Sequence, residues 1–229
     1  MKLAILFSGG KDSTFTLYYY LQQAWDVECL ITLKSINESS YMFHTPNIDL
    51  VQVQSKALGI PLIEQETAGE KEKELLDLKK AFSRAKTEFK IDGVAVGALL
   101  SDYQAERVNR ICEELQLKCY TPLWHKNQEM LLREMIANGF EIIIQSIAGE
   151  GLSKRWLGRK IDEAAIDELV VLQQKFGLHP AGEGGEYESL VIDGPMFLQR
   201  LVIEKSSVLM ENECTGKLVI ENVKLEKKE

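Results

Sequence analysis

At 229 residues, with 45% hydrophobic and 27% charged, the chain has room for one domain with an appendage or for two small ones, each with a real core. A net charge of −8 argues against a general nucleic-acid binder, though not against docking on one protein or one RNA. No apolar run is long enough for a membrane span, and four scattered cysteines without a C-x-x-C pair are expected to be reduced core residues of a cytoplasmic protein.

Residues 3–7, Leu-Ala-Ile-Leu-Phe, predict a short buried strand, entered directly and without a signal peptide. Residues 14–23 predict the first turns of a helix. Between them lie Ser8-Gly9-Gly10-Lys11-Asp12-Ser13. Strand, glycine-rich turn and helix together aim free backbone N–H groups at an anion. Gly9 and Gly10 permit positive φ and the close approach of a phosphate. Ser8 and Ser13 offer hydroxyls, and Lys11 a positive charge. Asp12 is the odd member: a carboxylate repels phosphate unless a cation lies between them, so a bridging magnesium ion is expected. The adjacent glycines exclude both a Walker A loop and a Gly-x-Gly-x-x-Gly turn. The plain alternative is an ordinary glycine-rich turn.

Residues 27–32 predict a second strand with Leu33 at its carboxyl end, where an adenine could lie in a doubly wound sheet. A polar loop leads to Phe43-His44-Thr45-Pro46-Asn47, and His44 is open to ligand binding or to packing. Residues 48–58 predict a helix closed by Gly59, and 60–63 a third strand. Residues 70–90 predict a long helix whose dense charges form a solvated face. Residues 94–97 predict an apolar fourth strand. This alternation predicts an α/β fold, doubly wound, with a mostly parallel sheet and helices on both faces. The segment from Gly97 through Ser101, Asp102, Tyr103 and Gln104 to Arg107 leaves the carboxyl end of the fourth strand. The 8–13 loop leaves the first strand in the same way, so both are expected to line one edge. Ser101 or Asp102 can cap the next helix. Arg107 can reach a phosphate or carboxylate, or pair with Glu106 or Glu113 at the surface.

Residues 119–123 predict a short strand running into Trp124, 128–138 a helix capped by Gly139, and 140–147 another strand. The expected boundary follows: a nucleotide-binding domain at 1–147 and a smaller C-terminal α+β domain at 148–229. Residues 154–160 are a basic cluster around Trp156. It reads equally as a site for an anion and as a helix start whose tryptophan packs in the core. Residues 162–176 predict a helix ending at Gly177. Then comes Gly182-Glu183-Gly184-Gly185-Glu186-Tyr187-Glu188-Ser189. Its carboxylates repel one another, so they stay solvated, hold a cation, an ammonium or hydroxyls, or serve as an acid/base pair. Residues 199–204 and 217–220 predict a small antiparallel sheet.

Taken together, these stretches resemble the diphthine–ammonia ligase family of the PP-loop ATP pyrophosphatases, over essentially the whole chain. The resemblance is carried by residues 8–13, 43–47, 97–107, Pro122-Leu123-Trp124 and 183–189. The first motif is shared by the whole superfamily and speaks to ATP alone; the last discriminates the family, with Ser189 where Thr is as frequent. The resemblance implies an adenine nucleotide α-hydrolase-like (HUP-type) fold that binds ATP through Ser8, Gly9, Gly10, Lys11, Asp12, Ser13, Leu33 and Gly97. Mg2+ would be held by Asp12, and Lys11, Asp12, Glu183, Glu186 and Glu188 would be catalytic. His44, Ser101, Asp102, Tyr103, Gln104, Arg107, Trp124, Trp156, Tyr187 and Ser189 would contact the substrate. That substrate would be diphthine on translation elongation factor two, amidated with free ammonium through an acyl-adenylate. The chain length matches an archaeal form. The oligomeric state stays open, with a homodimer among the options. Rival readings are a tRNA-modifying PP-loop enzyme, a relative adenylating another carboxylate, and a nucleotide sensor without turnover.

Overall fold

The structure is a computed structural model and describes residues 1–35, 47–68, 73–100 and 102–228. His44 and Ser101 lie outside the described residues. The chain divides into two compact units, Met1–Trp124 and His125–Glu229.

In the first unit, strands β1 (Lys2–Leu6), β2 (Asp26–Ser35), β3 (Leu62–Thr67), β4 (Gly93–Val96) and β5 (Lys118–Tyr120) alternate with four helices. These are α1 (Lys11–Gln22), α2 (Leu50–Leu58), α3 (Lys73–Phe89) and α4 (Asp102–Glu114). All strand pairs are parallel, in the order β3-β2-β1-β4-β5. The chain winds outward from β1 to β3, then crosses back through α3 to β4 on the far side of β1. The crevice between the carboxyl ends of β1 and β4 is therefore the switch point, where ligands enter such sheets.

The strands are apolar on both faces because helices cover both. Ala4, Cys29, Ile31, Leu33, Ile63, Val94 and Val96 pack with Leu78, Ala81, Phe82 and Ala85 of α3 and Val108, Ile111 and Cys112 of α4. The alternate residues Leu3, Ile5, Leu30 and Ala95 are equally buried and point to the other face, where α1 packs against β1, β2 and β4. Phe82 has no exposed surface, and truncating such a side chain to alanine costs about 3–5 kcal/mol. Gly59 closes α2 at φ +69°.

The second unit holds α5 (Gln128–Ala137), β6 (Glu141–Ala148), a 3₁₀ turn (Lys154–Trp156), α6 (Glu163–Phe176), β7 (Tyr187–Asp193), β8 (Gln199–Met210) and β9 (Thr215–Lys227). Its sheet is antiparallel, in the order β7-β6-β9-β8. Asn127 caps α5 by accepting from Met130 N, and Asp162 caps α6 by accepting from Ala165 N. The expected boundary at 147 is displaced. Strand β6 was assigned to the nucleotide-binding domain, but it pairs with β7 and β9 and lies inside the second sheet. Strand β3 also starts two residues later than expected, and β8 and β9 run well past the short segments predicted.

Candidate functional site

The loop after β1 is built by its own side chains. Gly9 has φ +78° and is the one loop glycine in the left-handed region; Gly10 is extended and caps α1. Ser13 Oγ donates to Gly10 O at 3.1 Å and accepts from Ser8 N at 3.2 Å, and the two serine hydroxyls lie 3.3 Å apart. Thr14 Oγ1 donates to Gly10 O at 2.7 Å. These bonds fold residues 8–14 into a tight cup. No side chain caps the start of α1, so its first-turn amides face the position an anion would take.

Lys11 and Ser13 are buried, and Ser8 is exposed. Lys11 Nζ lies 2.7 Å from Asp12 Oδ2. The second carboxylate oxygen, Asp12 Oδ1, is buried without a hydrogen-bond partner among the described residues. An oxygen in that state suits a hard cation. No cluster of three His, Cys, Asp or Glu side chains forms among the described residues, so Asp12 would share a cation with phosphate oxygens and water.

Two contacts hold the cup in place, and one was not foreseen. Gln54 of α2 is fully buried, and its Nε2 donates to Gly9 O at 2.9 Å. Gly97, expected to touch ATP, abuts the start of α1: a Cβ there would lie 2.7 Å from the Asp12 carbonyl carbon and 2.8 Å from Ser13 N. It lets β4 approach the cup. Leu33 is inside β2, paired with Gln65, rather than at the strand end, and its side chain belongs to the core. The β1–β2 ladder stops at Leu6↔Ile31. Among the described residues, 32–35 of β2 have a strand neighbour on the β3 side alone.

Arg107 lies on α4 and lines a cleft of about 360 Å³ between α3 and α4, together with Leu75, Leu76, Lys79 and Arg110. Asp102, Tyr103 and Gln104 form the first turn of α4, and their side chains lie outside the described residues. Trp124 packs against the α3/α4 core.

In the second unit the basic cluster takes the packed form. Trp156 has no exposed surface, so it supports the fold and does not offer itself to a substrate. Arg159 stacks over its ring at 4.4 Å, and Glu168 of α6 pairs with both Arg159, at 2.7 Å, and Arg155, at 2.8 Å. The Arg159 hydrogen bond holds the Glu168 carboxyl below its ordinary value. Lys160 pairs with Glu141 at 2.6 Å.

The glycine- and glutamate-rich loop leads into β7. Tyr187 is buried and donates from its hydroxyl to Pro180 O at 2.7 Å, pinning the loop's two ends together. Ser189 is buried, and its carbonyl accepts from Gln145 Nε2 at 3.0 Å. Both were expected to contact substrate; these bonds engage the Tyr187 hydroxyl and the Ser189 main chain. The three carboxylates differ: Glu188 is exposed, Glu183 half-buried, and Glu186 accepts from His179 N and Gly184 N, each at 2.8 Å.

A helix start without a side-chain cap, behind a glycine cup at the switch point of a five-stranded parallel sheet, defines a phosphate-loop protein of the α/β class. Residues 1–119 match the family model of the diphthamide synthase N-terminal domain, and residues 127–225 that of the diphthamide synthase C-terminal domain. The diphthine–ammonia ligase of Rattus norvegicus is 34% identical over 93% of this chain and 86% of its own length. The one of Homo sapiens is 31% identical over the same shares. That of Schizosaccharomyces pombe is 34% identical over 91% of this chain, which spans 37% of that longer protein. The chain belongs to the diphthine–ammonia ligase family. A solved structure titled as a "predicted subunit of tRNA methyltransferase" from Methanocaldococcus jannaschii is a more distant likeness, with a TM-score of 0.42 and 17% identity over 85% of this chain and 98% of that chain.

Proposed function

We propose that this chain amidates diphthine on translation elongation factor two, consuming ATP and ammonium and releasing AMP and pyrophosphate. The observation that carries the reading is a phosphate cup inside a chain both of whose halves match the diphthamide synthase models. ATP seats its phosphates on residues 8–13, with the adenine against the open edge of β2. The diphthine carboxylate attacks the α-phosphate, and pyrophosphate leaves. The protein supplies no nucleophile; it positions the groups and stabilises charge. Lys11 leaves Asp12 to meet the departing phosphates. Asp12 Oδ1, buried without a hydrogen-bond partner among the described residues, would hold Mg2+, which would neutralise charge on the phosphates. Ammonia then attacks the acyl-adenylate, yielding amide and AMP.

The four cysteines are free thiols, in keeping with a cytoplasmic setting. Among the described residues no helix is long and apolar enough to cross a membrane. A homodimer is compatible with this scheme, which draws every residue from one chain.

The test is mass spectrometry of diphthine-bearing elongation factor two incubated with this protein, ATP, magnesium and ammonium. The expected result is the small mass decrease of carboxylate-to-amide exchange, with AMP formed in equal amount. AMP without a modified factor would keep the adenylation and overturn the substrate. Bound ATP with neither product would leave a nucleotide sensor.

A further inference from the structure

We propose that the Thr16 hydroxyl holds a water of the cation bound at Asp12, and so fixes that cation at the start of α1. This rests on the cation site proposed above for Asp12. Asp12 and Thr16 are one turn apart on α1, so they share a face of the helix, with Cβ atoms about 5–6 Å apart. Each carries a side-chain oxygen that is buried and has no hydrogen-bond partner among the described residues, Oδ1 on Asp12 and Oγ1 on Thr16. The carboxylate is divided: Lys11 Nζ occupies Oδ2 at 2.7 Å and leaves Oδ1 to another partner. Thr16 has no exposed surface. Its Cα–Cβ bond tilts toward the start of the helix, so its side chain lies over the turn that holds Asp12.

The idle hydroxyl is out of keeping with its neighbours. A threonine inside a helix has a carbonyl three or four residues back to which it can donate. Thr14 Oγ1 donates in this way to Gly10 O at 2.7 Å, and Ser13 Oγ to the same carbonyl at 3.1 Å. Thr16 has the Asp12 carbonyl in the same relation and does not use it. Burying an unpaired hydroxyl costs stability that a valine of the same shape would not cost. Such an oxygen marks a place for water or an ion.

The two oxygens differ in what they bind. Oδ1 belongs to a carboxylate and ligates a hard cation directly, whereas the threonine hydroxyl is neutral and both donates and accepts. Magnesium takes oxygens at about 2.0–2.1 Å and keeps several of its waters. A water on a divalent cation is a strong donor, because the ion draws charge from it. A shell water of a cation at Oδ1 spans the turn and donates to Thr16 Oγ1. The hydrated ion is then held at two points of one helix, and its other positions remain for phosphate oxygens and water.

The test reads cation binding itself. Manganese(II), which favours the same oxygen donors, is titrated into the full chain holding a non-hydrolysable ATP analogue, and the free ion is followed by electron paramagnetic resonance. Neither elongation factor two nor ammonium is present, so the outcome is separate from the substrate reading. Thr16→Val keeps the shape and removes the oxygen. Its manganese affinity should fall on the order of 10-fold, while the urea midpoint of the metal-free protein stays at or above that of the wild type. Thr16→Ser returns the hydroxyl and should return the affinity. Asp12→Asn should lose the most. Wild-type affinity in Thr16→Val would overturn the proposal. A urea midpoint that falls together with the affinity would make the hydroxyl a structural group and overturn it too. Wild-type affinity in Asp12→Asn would remove the cation site, and the proposal with it.

Discussion

One methyl group placed on Gly9 tests the phosphate cup. In Gly9→Ala the new Cβ would lie 2.1 Å from Gln54 Oε1, far inside any real contact. The residue would also keep a φ of +78°, which costs an L side chain about 1–2 kcal/mol. Gln54 must swing away and give up its 2.9 Å bond to Gly9 O. Stripping that bond from a buried carbonyl costs about 1–3 kcal/mol. The two effects sum to about 2–5 kcal/mol. If about 3 kcal/mol of it falls on the nucleotide-bound cup, ATP affinity drops on the order of 10²-fold. Gln54→Ala loses the same bond without the backbone strain. In the double variant the methyl meets no glutamine and the bond is lost once, so the combined effect falls short of the sum by about 1–3 kcal/mol. Calorimetric ATP titration of the wild type, both single variants and the double variant measures this coupling, with urea midpoints as a check on folding. Strictly additive losses, or wild-type affinity in Gly9→Ala, would refute the reasoning.

Gly97→Ala drives its Cβ into the Asp12 backbone, not into a movable side chain, so ATP binding should fall and no change at Gln54 should restore it. Asp12→Ala removes the buried Oδ1 and should abolish AMP formation in an ATP turnover assay; wild-type turnover would dismiss the cation site. Alkylation followed by peptide mass spectrometry should label Cys119 before Cys112 and Cys29. A hydrogen bond from Cys112 holds the Cys119 thiol below its ordinary value, while burial pushes Cys29 up to about 12; labelling of Cys112 first would contradict this. Glu168 sits below its ordinary value of 4.5 through the Arg159 hydrogen bond. Its stabilisation is full above that value and fades as the pH falls through the lowered one. Glu168→Gln should therefore cost less than about 1 kcal/mol at neutral pH, and nothing once both proteins are fully acidified, as read from urea midpoints.

The cup at residues 8–13 was legible because anion binding constrains residue types at adjacent positions, and the order of strand, turn and helix was plain around it. Gln54 was not. It is an ordinary polar residue on a helix, 45 positions from its partner, and only its burial against Gly9 reveals it. Strand β6 was misassigned because the run Ile142-Ile143-Ile144 looks the same in the middle of a parallel or an antiparallel sheet. Strand β3 is a sheet edge and carries Glu64-Gln65-Glu66, so its polar half did not read as strand. Residues 205–210 of β8 and 221–227 of β9 hold no buried position; they are strands because each runs paired along the other strand. At Trp156 sequence left two readings level, and its complete burial decided between them.

The order of strands also sets when each unit can form. All five strands of the parallel sheet are in hand once Tyr120 has been made. The antiparallel sheet is closed differently: its first strand, β6, lies between β7 and its last, β9. Until Thr215–Lys217 exists, the Ser146–Ala148 end of β6 lacks its β9 partner, whereas the apolar run Ile142–Ile144 already bonds to residues 158–161. A growing chain can therefore complete its phosphate cup early, while the second unit waits for a long-range pairing that is slow by nature. Truncation before Thr215 would leave the Ser146–Ala148 edge open to aggregation and the first unit intact.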